Sequence, residues 1–332
     1  MMTKRVLNVC GLLALLALVA GCEPGSSGVP LGEQELTTVA PERPAATAGT
    51  PADRPVAAPD EDDYRRGRPE ALMDFLFRHR PTEIPPPGMP IDELDLTNLM
   101  LDAEVLDAIA TLSGLRALLL GGSNIDDEGF ARLGELPDLV ALGLRRTLVT
   151  DASLPRIAAL PRLEVLYLTD TTITDAGLRH LSAAAGLRQL ALSGTRVTVE
   201  GLSAFRGPKG LDRLWLESTP ADDRAVSAIV RSFPRLEIVS LGSTDVSDAA
   251  VSKLSLLPAL KVLDLSSTSV SDSSVDVLAA MSSLRLLDLR DTGLSPAGLD
   301  ELVERRPDLD VKSSHHRPLP PTVAGSAPAT AD

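Results

Sequence analysis

The stretch LEVLYLTDTTITDAGLRHLSAAAG, residues 163–186, decides the fold because it is one unit of a motif that recurs nine times. The nine units, numbered here as repeats 1 to 9, begin at Ile91, Leu115, Leu139, Leu163, Leu187, Leu211, Leu236, Leu260 and Leu284. Seven of the eight steps are 24 residues long, and the step from Leu211 to Leu236 is 25. A fixed period of this length is typical of a solenoid, in which each repeat covers its apolar face only by stacking on its neighbours.

Each repeat changes its hydrophobic period halfway along, which predicts a strand followed by a helix. Counting from the first leucine, apolar positions 4 and 6 alternate with polar or small residues, as in a strand with one buried face. Apolar residues at positions 11, 16, 19 and 22 suit a short helix. Position 12 is a good N-cap residue in all nine repeats: Asp102, Asp126, Thr150, Thr174, Thr198, Asp222, Ser247, Ser271 and Ser295. In six repeats an Asp follows, where we expect it to favour the helix dipole.

These features resemble the leucine-rich repeats of the ribonuclease-inhibitor-like group, most nearly the cysteine-containing type of F-box proteins. The resemblance implies an α/β fold, a right-handed leucine-rich repeat solenoid or horseshoe, with a parallel concave sheet and short convex helices. Position 9, usually Asn or Cys in those families, is Thr in seven repeats: Thr147, Thr171, Thr195, Thr219, Thr244, Thr268 and Thr292. A threonine hydroxyl can bond the backbone of the turn that leaves the strand, so we expect a structural ladder here and no catalytic role.

The chain outside the repeats divides into a signal, a tether, a cap and a tail. We expect residues 1–21 to be a lipoprotein signal peptide, 22–63 a disordered tether, 64–90 a cap helix and Pro-rich turn, 91–314 the repeat domain, and 315–332 a disordered tail. The tether carries nine acidic and two basic side chains and almost no large apolar residue, so it cannot bury enough surface to fold. Helical spacing over residues 69–80 predicts the cap helix through Ala71, Leu72, Phe75 and Leu76. Leu309 and Val311 predict a truncated tenth strand.

Residues 19–22, Val-Ala-Gly-Cys, resemble the lipobox of bacterial lipoproteins. Lys4 and Arg5 precede an apolar run that is short for a membrane span. The resemblance implies cleavage before Cys22 and lipidation of that cysteine, which would anchor the chain at the bacterial cell envelope. Because Glu23 and not Asp follows the cysteine, the outer membrane is favoured over the inner one. An uncleaved membrane anchor and an ordinary secretory signal stay open as alternatives.

Composition and motifs argue against an enzyme, a metal or other cofactor, and a nucleic-acid partner. The sequence has no nucleophile elbow, phosphate-binding loop or zinc-protease motif, and Cys22 would be the one cysteine of the mature chain. The formal net charge is −14, so no basic stripe is available to neutralise phosphates. His315 and His316 are adjacent on the predicted tail, where a metal-binding role is disfavoured. We therefore expect a non-catalytic protein.

Variable side chains on the concave face are the candidates for binding. Tyr167 and Trp215 both occupy position 5, two repeats apart with Ala191 between them, so we expect their rings to stand about 10 Å apart over a shallow floor. Charged residues at neighbouring concave positions are Arg145, Arg146, Arg213 and Glu217. Aromatic residues beside arginines match the composition of binding hot spots, although aromatic residues also favour strands that bind nothing. We expect a second group to be a solvated charged face: Asp264, Asp288, Arg290 and Asp291.

The sequence therefore favours a protein- or peptide-binding module that is lipid-anchored at the envelope and binds through its concave face. A first alternative is a structural or carbohydrate-binding role at the cell wall, in which the aromatic side chains stack a sugar ring and the partner is a polysaccharide. A second, remote alternative follows the F-box resemblance to a ubiquitin-ligase-type substrate adaptor. That role requires an F-box helical module before the repeats, and the predicted helix over residues 69–80 is too short for one.

Overall fold

A computed structural model describes residues 59–80, 82 and 84–314. The predicted signal peptide, the lipidation site Cys22, most of the tether, and the tail with His315 and His316 lie outside the described residues. Contacts divide the chain into residues 1–60 and residues 61–332, and the fold below is that of the second unit.

Ten three-residue strands form one parallel sheet in which strand order follows chain order. They are β1 Glu93–Asp95, β2 Ala117–Leu119, β3 Ala141–Gly143, β4 Val165–Tyr167, β5 Gln189–Ala191, β6 Arg213–Trp215, β7 Ile238–Ser240, β8 Val262–Asp264, β9 Leu286–Asp288 and β10 Asp310–Lys312. Strands β1 to β9 occupy positions 3 to 5 of their repeats, and the register pairs equal positions, so that Tyr167, Ala191 and Trp215 lie side by side. Strand β10 is the truncated tenth strand that the sequence predicts.

Short helices connect the strands, and two more precede the repeats. They are α1 Glu61–Arg65, α2 Glu70–His79, α3 Ala103–Ala110, α4 Asp127–Arg132, α5 Leu154–Ala158, α6 Asp175–His180, α7 Val199–Ala204, α8 Asp223–Ser232, α9 Asp248–Leu254, α10 Val275–Ala280 and α11 Pro296–Arg305. Single turns of 3-10 helix cover Asp151–Ser153, Leu181–Ala183 and Asp272–Ser274. This alternation of parallel strands and short helices confirms the predicted leucine-rich repeat horseshoe.

One continuous apolar core runs through the repeats. The residues at positions 4 and 6, such as Leu166 and Leu168, are at most 6% exposed in every repeat. Burying one such side chain contributes about 1.5–3 kcal/mol. Helix α2 covers the core at the N-terminal end, where Leu72 and Met73 are fully buried. The repeats therefore stabilise one another through stacking, as the period of the sequence requires.

Helix α1 departs from the sequence prediction because it begins at Glu61, inside the segment 22–63 that we expected to be disordered. Three contacts with helix α2 account for the difference. The Tyr64 ring packs edge-on against Phe77, with 6.2 Å between ring centroids. The Arg65 guanidinium lies 5.2 Å from the centroid of the same ring and forms a salt bridge with Asp74. These contacts offset the ordering entropy of one additional helical turn.

The threonine ladder at position 9 has the predicted structural role. In all seven repeats the threonine hydroxyl donates to the carbonyl of the leucine three residues earlier, at distances of 2.5–2.8 Å. These bonds close the turn that leaves each strand. The turn also needs a left-handed residue at position 8, where φ lies between 53° and 69° in all nine repeats. Most of those residues are Gly, Asn, Asp or Ser, whereas Arg146 is an unusual choice for this conformation.

The aspartates at position 13 tie successive repeats together. Asp175, for example, accepts hydrogen bonds from the backbone N–H and the hydroxyl of Thr198, the N-cap residue of the next repeat, at 2.7 and 2.6 Å. We call this arrangement the aspartate clamp. The same pair of bonds is made by Asp127, Asp151, Asp175, Asp223, Asp248 and Asp272. The helix dipole alone, which the sequence suggested as their role, does not explain these contacts.

The clamp explains which cap residue each repeat carries. Every cap residue that follows a clamp aspartate is Thr or Ser, because its hydroxyl must donate to the carboxylate. Where position 13 is instead Ala103 or Val199, the next cap is Asp126 or Asp222. An aspartate is tolerated there because no second carboxylate faces it. The two positions are therefore matched across each junction between repeats.

Candidate functional site

The candidate site is the concave surface over repeats 3 to 6. Its principal side chains are Arg145, Tyr167, Arg213, Trp215 and Glu217, and we call this set the central concave patch. Tyr167 and Trp215 end strands β4 and β6, and Ala191 ends strand β5 between them. Side chains alternate along a strand, so position 5 faces away from the leucines at positions 4 and 6.

The two aromatic side chains are in contact, which differs from the sequence prediction. Their ring centroids lie 6.1 Å apart at an interplanar angle of 69°, an edge-to-face arrangement, and not about 10 Å apart. Trp215 is 2% exposed and Tyr167 is 9% exposed. The small side chain of Ala191 leaves room for both rings to lean toward each other. The expectation of separated, open rings over a shallow floor is therefore wrong.

The indole N–H of Trp215 is buried without a hydrogen-bond acceptor. A buried donor left unpaired costs about 1–3 kcal/mol, and most buried donors in folded proteins are paired. The Nε of Arg145, on the same face, is also buried without an acceptor. The central concave patch therefore holds two buried hydrogen-bond donors without an acceptor, which a ligand acceptor could reach only after the covering side chains move.

The structure separates the three predicted arginines. Arg145 is half-buried on the concave face and Arg213 is half-buried on β6, with its Nε 3.8 Å from the Asp212 carboxylate. Arg146 is exposed and occupies the left-handed position after the strand, where its Nε lies 3.2 Å from Oδ2 of Asp170 in the next repeat. Arg145 and Arg213 thus belong to the central concave patch, and Arg146 belongs to its rim.

Glu217 is bonded within a row of serines and carboxylates. The hydroxyl of Ser193 donates to Glu217, and the hydroxyl of Ser240 donates to Oδ2 of Asp264 at 2.7 Å. Burial raises the pKa of Glu217 above its ordinary value, and the hydrogen bond from Ser193 offsets this only in part. The nearby charge of Asp264 adds to the rise. A partner with a hydrogen-bond donor or a positive group would favour the ionised carboxylate.

The predicted solvated acidic face is only partly exposed. Asp288 is 4% exposed, because the guanidinium of Arg290 covers it with Nη2 2.6 Å from Oδ2. Asp264 is half-buried and Asp291 is exposed. The prediction is therefore wrong for Asp288, whose charge is neutralised by a side chain two residues along the same repeat.

A cleft of about 290 Å³ that the sequence analysis missed lies at the edge where the strands begin. Its lining residues are Gly186, Arg188, Gly210, Asp212, Arg235 and Glu237. Glycine ends both repeat 4 and repeat 5, and this pair was the available sequence evidence for the cleft. Arg188 crosses it and donates through Nε and Nη2 to Oδ2 of Asp212 at 2.9 and 2.6 Å.

Within residues 59–80, 82 and 84–314, no helix is long and apolar enough to cross a membrane. Over the same residues, no group of three or more His, Cys, Asp or Glu side chains is arranged to hold a metal ion.

Comparison with known proteins gives fold similarities alone. No protein-family model matches the chain, and no curated protein matches it at a significant level. Among solved structures the chain is similar to internalin C2 of Listeria monocytogenes, with 23% identity, 64% of this chain and 84% of that chain covered, and a TM-score of 0.43. The chain is also similar to internalin F of the same organism, with 16% identity and a TM-score of 0.42. That match covers 64% of this chain and 71% of internalin F. A chain of the mouse RP105/MD-1 complex is similar as well, with 21% identity and a TM-score of 0.45. That match covers 64% of this chain and 36% of the mouse chain.

Proposed function

We propose that this chain is a non-catalytic module that captures a protein or peptide on the central concave patch, and that a lipid on Cys22 holds it at the bacterial cell envelope, with the outer membrane favoured. The observation that carries the binding role is the unpaired N–H of Trp215, buried against Tyr167 on the concave face that also carries Arg145 and Arg213. The recurrent polar positions already have structural roles, since position 9 closes each turn and position 13 ties the repeats. The variable concave positions are left for recognition.

A peptide fits this patch better than a sugar does. Sugars stack on open aromatic faces, and Trp215 at 2% exposure offers almost no face. A backbone carbonyl or a carboxylate is a hydrogen-bond acceptor, which is the group that the N–H of Trp215 and the Nε of Arg145 lack. Aromatic and arginine side chains at the centre of a surface are also the residues that dominate binding energy in protein interfaces.

Site-specific photocrosslinking tests the binding surface. A photoreactive amino acid replaces Thr169, beside the central concave patch, or Leu256, which is 66% exposed after helix α9. In cells that produce the full chain, we expect a discrete protein adduct from position 169 and none of the same mass from position 256. The same adducts from both positions, or none from position 169, would contradict the proposed surface.

The partner recovered in that adduct allows a sharper test with Trp215→Phe. This change keeps an aromatic ring and removes the unpaired N–H; the gain from that removal opposes the cost of the cavity that the smaller ring leaves, so the free energy of unfolding is expected to change by no more than about 1–2 kcal/mol. Binding is expected to weaken at least tenfold, which is about 1.4 kcal/mol, in a titration by calorimetry. Leu256→Ala is the control that should leave affinity unchanged. Full affinity in Trp215→Phe would show that the indole N–H is not used.

The lipid anchor has its own test. Cells producing the full chain are fed an alkyne-tagged fatty acid, and the label on the chain is compared with that on Cys22→Ser. We expect the label to disappear in the variant and the chain to move from the membrane fraction to the soluble fraction. Equal labelling of both proteins would refute lipidation at Cys22.

A further inference from the structure

Among the described residues, the sheet ends at strand β10, which pairs with β9 on one side only. The N–H of Asp310 donates to the carbonyl of Arg285, and the carbonyl of Lys312 accepts from the N–H of Leu289. Because the backbone groups of alternate residues point to opposite sides of a strand, the N–H and C=O of Val311 point away from β9. At the same position in strands β1 to β9, these groups face the following strand. Strand β10 therefore presents an unpaired edge.

The side chains of β10 place an acid, an apolar residue and a base along this edge. Val311 points toward the core and is half-exposed, because no described residue continues the sheet beyond it. Asp310 and Lys312 point to the concave face, and both are exposed. Neither side chain forms a hydrogen bond or an ion pair with another residue. The edge therefore carries two opposite charges that nothing within the chain neutralises.

A two-fold axis at Val311 makes this edge complementary to itself. In an antiparallel strand pair, two residues whose N–H and C=O groups face each other exchange both hydrogen bonds. Val311 meets this condition, so it would pair with Val311 of a second copy. That register places Asp310 opposite Lys312 of the second copy, and Lys312 opposite its Asp310. Opposite charges in directly facing positions stabilise a strand pair, and side chains approach closely at these non-hydrogen-bonded positions.

The other edge of the sheet, at strand β1, lacks this complementarity. Strand β1 reads Glu93-Leu94-Asp95, so the same two-fold pairing would place Glu93 opposite Asp95 of the second copy. Like charges in directly facing positions destabilise a strand pair. Arg80 also occupies a backbone acceptor at this edge, since its Nη2 donates to the carbonyl of Thr97 at 2.8 Å. Pairing between two copies is therefore favoured at β10 and opposed at β1.

The convex side leaves room for a second copy beside β10. Helix α11 precedes β10 and is the last described helix, so β10 extends beyond it without a helix of its own. Two copies joined at β10 would bring their Val311 side chains together between the two α11 helices. We propose that two copies of this chain associate edge to edge through β10, in an antiparallel pair centred on Val311, so that their sheets become continuous. This association requires neither the proposed partner nor the lipid on Cys22.

Cysteine crosslinking in cells that produce the full chain tests the position of the axis. Three residues of each copy form the contact, which is smaller than the interfaces of stable dimers, and crosslinking captures such a weak association. A cysteine at the axis lies beside its counterpart in the second copy, so Val311→Cys should give a covalent dimer with a short bismaleimide. Leu256→Cys, at a position 66% exposed after helix α9, is the control and should give at least tenfold less dimer. The unaltered chain gives the background from Cys10 and Cys22.

Charge reversal in the Val311→Cys chain tests the register. Asp310→Lys alone or Lys312→Asp alone places like charges opposite each other, and we expect at least tenfold less dimer from either. The two reversals combined exchange the charges and should restore the yield to within twofold. Co-production of the two single variants should give dimers that contain one chain of each kind, because one edge then carries two positive charges and the other two negative charges. Such mixed dimers also show that each single variant is folded.

Three results would overturn the edge-to-edge dimer. The first is a yield from Val311→Cys no higher than that from Leu256→Cys. The second is an equal yield from the single and the combined charge reversals, because the register of the strands would then be irrelevant. The third is a dimer that forms only after deletion of residues 315–332, which would show that the tail covers the edge of β10 in the full chain.

Discussion

The aspartate clamp makes a quantitative prediction at Asp248. Its carboxylate accepts from the backbone N–H of Ser271 at 2.9 Å, from the hydroxyl of Ser271 at 2.6 Å and from the hydroxyl of Ser274 at 2.5 Å. A hydrogen bond to a charged group contributes about 1.5–3 kcal/mol, and bonds to one carboxylate are not additive. We therefore expect Asp248→Ala to lower the free energy of unfolding by about 3 kcal/mol. For a unit of this size the melting temperature should fall by roughly 6–12 °C.

Asp276→Ala is the matched control. This carboxylate is 86% exposed and pairs with Arg305 at 2.6 Å on the surface of the horseshoe. An exposed ion pair contributes about 0–1 kcal/mol, so the control should lose far less stability. Both variants are unfolded in urea and followed by circular dichroism. If Asp248→Ala lost no more stability than Asp276→Ala, the clamp would be a consequence of stacking and not one of its causes.

The clamp also predicts a pH dependence with a defined sign. Burial alone would raise the pKa of Asp248, but the hydrogen bonds from Ser271 and Ser274 outweigh it and hold the pKa below its ordinary 3.8. The stabilisation is therefore fully present above about pH 4 and is lost as the pH falls through the lowered pKa. The stability difference between the wild type and Asp248→Ala should shrink between pH 5 and strongly acidic pH. A difference that stayed constant over that range would contradict the assignment.

Two further predictions concern single hydrogen-bond partners. Thr195→Val should lower the free energy of unfolding in urea by about 1–2 kcal/mol, because the carbonyl of Leu192 loses a 2.6 Å hydrogen bond. Ser123→Ala should leave that free energy equal or slightly higher, because the Ser123 hydroxyl is buried without a partner. Equal losses would show that position 9 matters for its volume alone. Burial raises the pKa of Glu217 above 4.5, so Glu217→Gln should raise the free energy of unfolding at pH 7, and this gain should vanish below about pH 4.5. A loss at pH 7 would show that the folded protein favours the charged carboxylate.

The fold could be predicted because the residues that form each strand and each helix lie within a single repeat, and the same pattern recurs in every repeat. Leu166 and Leu168 in one repeat carry the same information as their counterparts in the other eight. The threonine ladder is also local, and so are the cap hydrogen bonds of every N-cap residue except Thr198, since these bonds join residues two or three positions apart. The same locality explains why the clamp was missed. Asp175 bonds a residue 23 positions later, and its role becomes visible only when position 13 of one repeat is compared with position 12 of the next.

The candidate site could be located from the sequence but not described. Tyr167 and Trp215 both occupy position 5 of their repeats, which predicts that they lie on the same face of the sheet. The strand register agrees with this prediction. Whether two rings separated by Ala191 stay open or lean together depends on side-chain packing across three strands, which no pattern encodes. Asp288 illustrates the same limit, because its burial depends on how Arg290 folds back over it. The position of a residue in its repeat therefore predicts well the face on which its side chain lies, but it predicts poorly how exposed that side chain is.

The matching of each clamp residue to the next cap restricts how this chain could gain or lose whole repeats. Deleting residues 163–186 would bring Asp151 against Thr198, a carboxylate against a hydroxyl, and the new neighbours would be compatible. Deleting residues 187–210 would instead bring Asp175 against Asp222, and two carboxylates would face each other at the new contact. The repeats are thus alike in shape but not interchangeable in order. Recombination within the gene can produce some arrays and not others, and the same rule tells a protein engineer where this horseshoe can be shortened.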